Sequence, residues 1–127
     1  MGREAMGPES VPAEEFEAMV VDALDSLPEF VVPMMREIAV LVEDEQPVAD
    51  RKDGELLLGV FRGNPWTTQG GRIPGTLPPT ITLYRIPILA VCRRPEDVPA
   101  KVLKVLGHEV GHAVGLGETA LRDLGWY

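Results

Sequence analysis

The chain has 127 residues, 45% of them apolar and 25% charged, the balance of a soluble globular protein with room for one modest core. A net charge of −8 and an isoelectric point near 4.7 argue against nucleic acid or an anionic membrane surface as the partner. The single cysteine, Cys92, excludes an internal disulfide and a cysteine-built metal site, no apolar run is long enough to span a membrane, and the expected location is cytoplasmic.

Residues 1–11 mix Gly, Pro, Glu and Ser without periodicity and are expected to form a flexible tail, with residues 12–127 making a single domain. Phe16, Met19, Val20, Ala23, Leu24 and Leu27 then recur at helical spacing, which predicts one amphipathic helix. Its early Glu14, Glu15 and Glu17 suit the positive end of the helix dipole. Pro28 should stop this helix, and residues 28–36 read as a short helical turn interrupted by Pro33. Met34 and Met35 read as packing residues.

Residues 38–42, an unbroken apolar run, predict a strand buried on both faces, ending in the acidic cluster Glu43, Asp44 and Glu45. Three clustered carboxylates can bind a cation, but a solvated strand end is the commoner arrangement. Residues 55–62 read as a second strand, in which Gly59 marks a bulge or a close approach by another backbone. Residues 63–79 hold too many Gly and Pro for a regular element. Such a loop either borders a substrate groove, with Trp66 as a contact, or is a plain surface connection.

Residues 80–85 alternate as a third strand, with Ile81 and Leu83 on one face and Thr80, Thr82 and Tyr84 on the other. An edge strand of this kind can pair with an extended peptide through main-chain hydrogen bonds, and Tyr84 or Arg85 would then be placed to contact the substrate and stabilise the oxyanion; an ordinary strand-end pair is the commoner alternative. Residues 87–91 predict a short helix burying Ile88 and Leu89. A long central helix begins at Pro95 to Asp97 and carries apolar residues on more than one stripe.

That helix contains His108-Glu109-Val110-Gly111-His112, followed by Gly115 and Glu118. Residues four apart on a helix stand one above the other, about 6 Å along the axis, so both imidazoles can reach one ion. These are the chain's two histidines, so neither is spent elsewhere. A catalytic zinc takes three protein ligands and leaves the fourth position to water, whose pKa it lowers to about 7. Glu109, beside the ligand line, can take a proton from that water and pass it to the leaving amine.

For the third ligand, Gly115 can adopt a positive φ, end the helix and turn residue 118 back towards the metal. Glu118 is then the ligand, unless it serves only as a first-turn acid of a helix over residues 119–124. The layout H-E-x-x-H-x-x-G-x-x-E resembles that of the metzincins, which usually carry His at the last position. Their methionine turn has no counterpart here, because no Met follows His112. Gly107 and Gly111 each weaken a helix by about 1 kcal/mol relative to Ala and are read as room for close packing of the sheet or substrate. Trp126 is expected to cap the core beneath the site.

Residues 16–28, 42–45 with Pro47, 58–63, 77–85 with Pro87 and Ile88, and 108–126 together resemble a small family of bacterial minimal zincins, peptidases of the H-E-x-x-H-x-x-G-x-x-D type. The resemblance covers residues 14–126, with Glu118 standing in place of the Asp. It implies a minimal zincin-like domain of α/β (α+β) class, a small mixed β-sheet of about three to four strands packed on helices with a central metal-binding helix. It also implies one zinc per chain on His108, His112 and Glu118, with Glu109 as general base and a peptide or protein as substrate. The alternative function is a metal-binding interaction module with little or no peptidase turnover. Glu109 favours the enzyme, since a purely structural zinc needs no base; the small size favours the module, since little wall remains to enclose a substrate.

Overall fold

The computed structural model describes residues 7–50, 57–63 and 78–127. Within the segment expected to be a tail, Pro8–Ser10 form a 3₁₀ turn, Pro8 is buried, and Val11 belongs to the core. The Arg85 guanidinium fixes this segment by donating to the Val11 carbonyl at 3.0 Å.

Helix α1, Ala13–Asp25, follows the apolar spacing and buries Phe16, Val20 and Ala23, with Glu14 and Glu15 in its first turn. A 3₁₀ turn at Glu29–Val31 leads into α2, Val32–Met35. Pro33 sits in the first turn of α2, where its missing N–H removes no helix bond, so it starts this element rather than interrupting it.

Three strands form a mixed sheet in the order β1-β3-β2, where β1 is Ala39–Glu43, β2 is Gly59–Arg62 and β3 is Thr80–Tyr84. β3 runs parallel to β1 and antiparallel to β2. Two expectations change here. The run at 38–42 does not become a doubly buried strand: β1 alternates exposed and half-buried positions, with Leu41 44% exposed. The most regularly alternating strand, β3, is central rather than an edge, so its main-chain groups are already paired on both sides and an added peptide strand has no place on it. Four of its five residues, Ile81 to Tyr84, are buried.

After β3 the chain turns directly into α3, Arg85–Ala90, which buries Pro87, Ile88 and Leu89. Cys92 follows, half-buried, its thiol donating to the Ile88 carbonyl at 3.4 Å and its pKa pushed up by burial. A 3₁₀ turn at Pro95–Asp97 opens into α4, Val98–Ala113, and α5, Glu118–Leu124, completes the fold. α4 is the spine, as the wide apolar surface predicted. It packs against α1, β2, β3 and α3, and its Val98, Val102, Leu106 and Val110 are fully buried beside Phe16, Ile81, Leu83 and Ile88. No described helix is long and apolar enough to cross a membrane.

Gly59 marks a close approach, by the Thr82 carbonyl of β3 at 3.2 Å from where a Cβ would stand and by side chains of α4 and β3. A Cβ there would stand 3.0 Å from Val105 of α4 and 3.1 Å from Leu83. The contact sets the spacing between α4 and β2. Four residues of helix and two of strand each advance by about 6 to 7 Å, so the next turn of α4 brings Glu109 level with Phe61.

Candidate metal and catalytic site

The last two turns of α4 carry the site. Helical period alone puts His108 and His112 on one face, with ring centroids 4.5 Å apart and planes at 70°. Ligand atoms of His108, Glu109 and His112 all lie within 4.8 Å of one another, and this is the one group among the described residues that could hold a metal ion. The acidic cluster at residues 43–45 makes no such group; Asp44 instead accepts a charged hydrogen bond from Arg85 at 2.8 Å.

His108 is held from behind. Its Nδ1 lies 2.9 Å from the Trp126 carbonyl oxygen, which can only accept, so Nδ1 carries the proton and Nε2 keeps the lone pair a metal needs. Two turns of the chain deliver that carbonyl. α4 ends in a Schellman motif at Gly115, φ +79, where Leu116 N–H donates to Gly111 at 2.8 Å and Gly115 N–H to His112 at 3.2 Å. α5 ends in the same way at Gly125, φ +78, with Trp126 N–H donating to Leu121 at 2.8 Å and Gly125 N–H to Arg122 at 3.0 Å. The chain thus doubles back and lays Leu121 and Trp126 on α4.

Gly107 and Gly111 exist for that docking. A methyl group on Gly107 would overlap the Trp126 indole, and one on Gly111 would overlap the end of Leu121. The room they leave is taken by residues 121 and 126, rather than by the sheet or a substrate. Trp126, 5% exposed, caps the core under the site as expected.

Glu109 is 8% exposed, and its Oε1 accepts the Phe61 N–H at 3.0 Å while His112 Nδ1 lies 3.4 Å from the same oxygen. Burial pushes its pKa above the usual carboxylate range; the neighbouring histidines and the two hydrogen bonds oppose that rise without cancelling it. The result is a carboxylate fixed in direction and more ready than usual to accept a proton. The Phe61 amide is free for this because of its register. Tyr84 N–H donates to Leu58, so alternate residues of β2 point their main-chain groups at β3, and Phe61 points its own outwards from the sheet.

Glu118 stands outside the three-residue group. It is the first residue of α5, the position of its alternative reading, and its Oε1 accepts the Tyr127 hydroxyl at 3.0 Å. Tyr84 is 1% exposed, opposite Glu43 at the end of β3, and the Arg85 guanidinium is engaged by Asp44 and Val11; neither residue joins the group. Trp66 lies outside the described residues. Phe61 and Trp126, through main-chain atoms, and Tyr127, through Glu118 and the His108 ring, make contacts here that were not read from the sequence, although Trp126 itself was expected beneath the site. The first two contribute main-chain atoms, which no side-chain pattern encodes, and Tyr127 offered only an aromatic residue after Trp126.

Two imidazoles and a carboxylate suit zinc or a similar divalent ion, and the preset Nε2 of His108 fits such an ion. A conserved hypothetical protein from Thermus thermophilus has a similar structure, with a TM-score of 0.53 at 23% identity over 89% of this chain and 96% of that one, a likeness of fold. No curated protein matches the chain. The family described as zincin-like metallopeptidase matches residues 35–126, a span that takes in the whole sheet, the metal helix and its C-terminal clasp, and to that family the chain belongs.

Proposed function

We propose that the protein is a zinc-dependent peptidase that cleaves extended peptide chains. The observation that carries this reading is the buried Glu109 carboxylate, aimed by the Phe61 amide at the space beside His108 and His112. His108 and His112 hold one zinc per chain, with Glu118 brought in as third ligand across the Gly115 turn. The zinc, when bound, supplies a Lewis acid that makes water nucleophilic near neutral pH and polarises a carbonyl.

Glu109 takes the proton from the attacking water and returns it to the departing amine nitrogen. Its raised pKa suits both halves of that task. The Trp126 carbonyl keeps His108 in one tautomer throughout. Peptide approaches along the open edge of β2 beside Glu109, since β3 is closed on both sides, and the Phe61 amide stays with Glu109 rather than pairing with the substrate.

The test pairs zinc content with hydrolysis of a mixed-sequence quenched peptide library, for wild type and Glu109→Gln. Equal zinc in both proteins with turnover only in wild type is the expected result. A zinc-loaded wild type that cleaves nothing in the library would point instead to a metal-binding module without turnover.

A further inference from the structure

We propose that Tyr127 is a positioning residue for Glu118, its hydroxyl orienting that carboxylate so that the second oxygen faces the metal. The proposal rests on the reading of Glu118 as third ligand. Three contacts fix where the phenol stands. Its hydroxyl donates to Glu118 Oε1 at 3.0 Å, its ring meets the ligand His108 edge-on at 6.1 Å between centroids, and the Arg122 guanidinium lies 4.3 Å from the ring centroid on a face. Glu118 and Arg122 are four residues apart on α5, so one side of that helix grips both the hydroxyl and the ring.

The phenol thereby bridges the two halves of the ligand set. Glu118 comes from the start of α5 and His108 from α4, and Tyr127 touches both while the preceding residue, Trp126, holds His108 through its carbonyl. A carboxylate has two oxygens; with Oε1 engaged by the hydroxyl, Oε2 is the one left for an ion. Partners of this kind cut the rotational freedom of a long Glu side chain, which matters here because Glu carries one more rotatable bond than Asp. Tyr127 is 48% exposed, so its hydroxyl is not required to fill the core.

The variant Tyr127→Phe removes the hydroxyl and keeps the ring against His108 and Arg122. Zinc affinity, read by competition with a chromophoric chelator, is expected to fall roughly 10-fold, the lower end of what loss of a partner behind a metal ligand costs, with the thermal midpoint of the metal-free protein unchanged. In a Glu118→Ala background the same substitution should change affinity less than about twofold, because the group it positions is gone. An equal loss in both backgrounds, or no loss in the wild-type background, overturns the proposal while leaving Glu118 as ligand intact. If Glu118→Ala alone leaves zinc affinity unchanged, the third-ligand reading fails, and the role of Tyr127 fails with it.

Discussion

The amide of Phe61, on an edge strand, and the carboxylate of Glu109, on the central helix, meet at 3.0 Å although 48 residues separate them. The bond uses an outward main-chain donor that β3 leaves free, and it is what turns a helical acid into one of fixed direction. Substituting Phe61 can separate the donor from the ring. Phe61→Pro deletes the N–H without breaking a ladder bond, since the donor points out of the sheet, whereas Phe61→Ala keeps it. A hydrogen bond to a charged group contributes about 1.5–3 kcal/mol, so kcat for peptide cleavage should fall roughly 10- to 100-fold in Phe61→Pro at equal zinc content. Phe61→Ala should stay within a few-fold of wild type. Similar kcat values for the two variants would remove the amide from the mechanism.

Gly107→Ala and Gly111→Ala should differ, although both improve helix propensity by about 1 kcal/mol. At Gly107 the added methyl meets the rigid indole of Trp126, whose carbonyl serves His108. At Gly111 it meets the flexible end of Leu121. Overpacking costs typically about 1–3 kcal/mol, and the rigid ring places Gly107→Ala towards the upper end. Thermal melts combined with zinc titration should show Gly107→Ala losing both stability and roughly 10-fold or more in affinity, and Gly111→Ala losing less of each.

Burial raises the pKa of Glu109, and the sign of its contribution follows. A carboxyl that binds its proton more tightly when folded supports the native state below the unfolded pKa, about 4.3, and loses that support as pH rises through the folded value. Glu109→Gln stays neutral throughout. The metal-free variant should therefore melt above wild type at about pH 8, with the two curves converging by about pH 4. A constant difference across that range would mean that ionisation of Glu109 is not what separates them.

Asp44 behaves in the opposite sense. The hydrogen bond from Arg85 holds its carboxyl below the ordinary value of 3.8, so its support is present above that pH and disappears as pH falls through the folded value. Asp44→Asn should lower the thermal midpoint slightly at about pH 7, since the acid is exposed, and not at all near about pH 2. Arg85→Ala should cost more, because it also leaves the Val11 carbonyl without its donor and loosens the segment before α1. Circular dichroism melts at both pH values read the two variants together.

The site was legible where geometry is local. His108, Glu109 and His112 share one helix, and a 3.6-residue period converts their spacing directly into a cluster. Gly115 announced a turn for a similar reason, since a positive φ selects glycine. Strand order was not legible. The unbroken apolar run of β1 and the clean alternation of β3 suggested a buried strand and an edge, and the sheet reverses the two. Burial there depends on which neighbours arrive from elsewhere in the chain, and Leu41 is simply left uncovered. Glu118 shows the same limit at short range. The turn was foreseeable, but the carboxylate's partner depended on where a second glycine turn would return Tyr127.

The two glycine turns also bear on the order of events during folding. His108, His112, Glu118 and the carbonyl of Trp126 fall within one short stretch of chain, so closing them together sacrifices little loop entropy. The Phe61 contact to Glu109 must wait for β2 to find its place across a far longer span. The clasp behind His108 therefore closes at a lower entropic cost than the bond that aims Glu109.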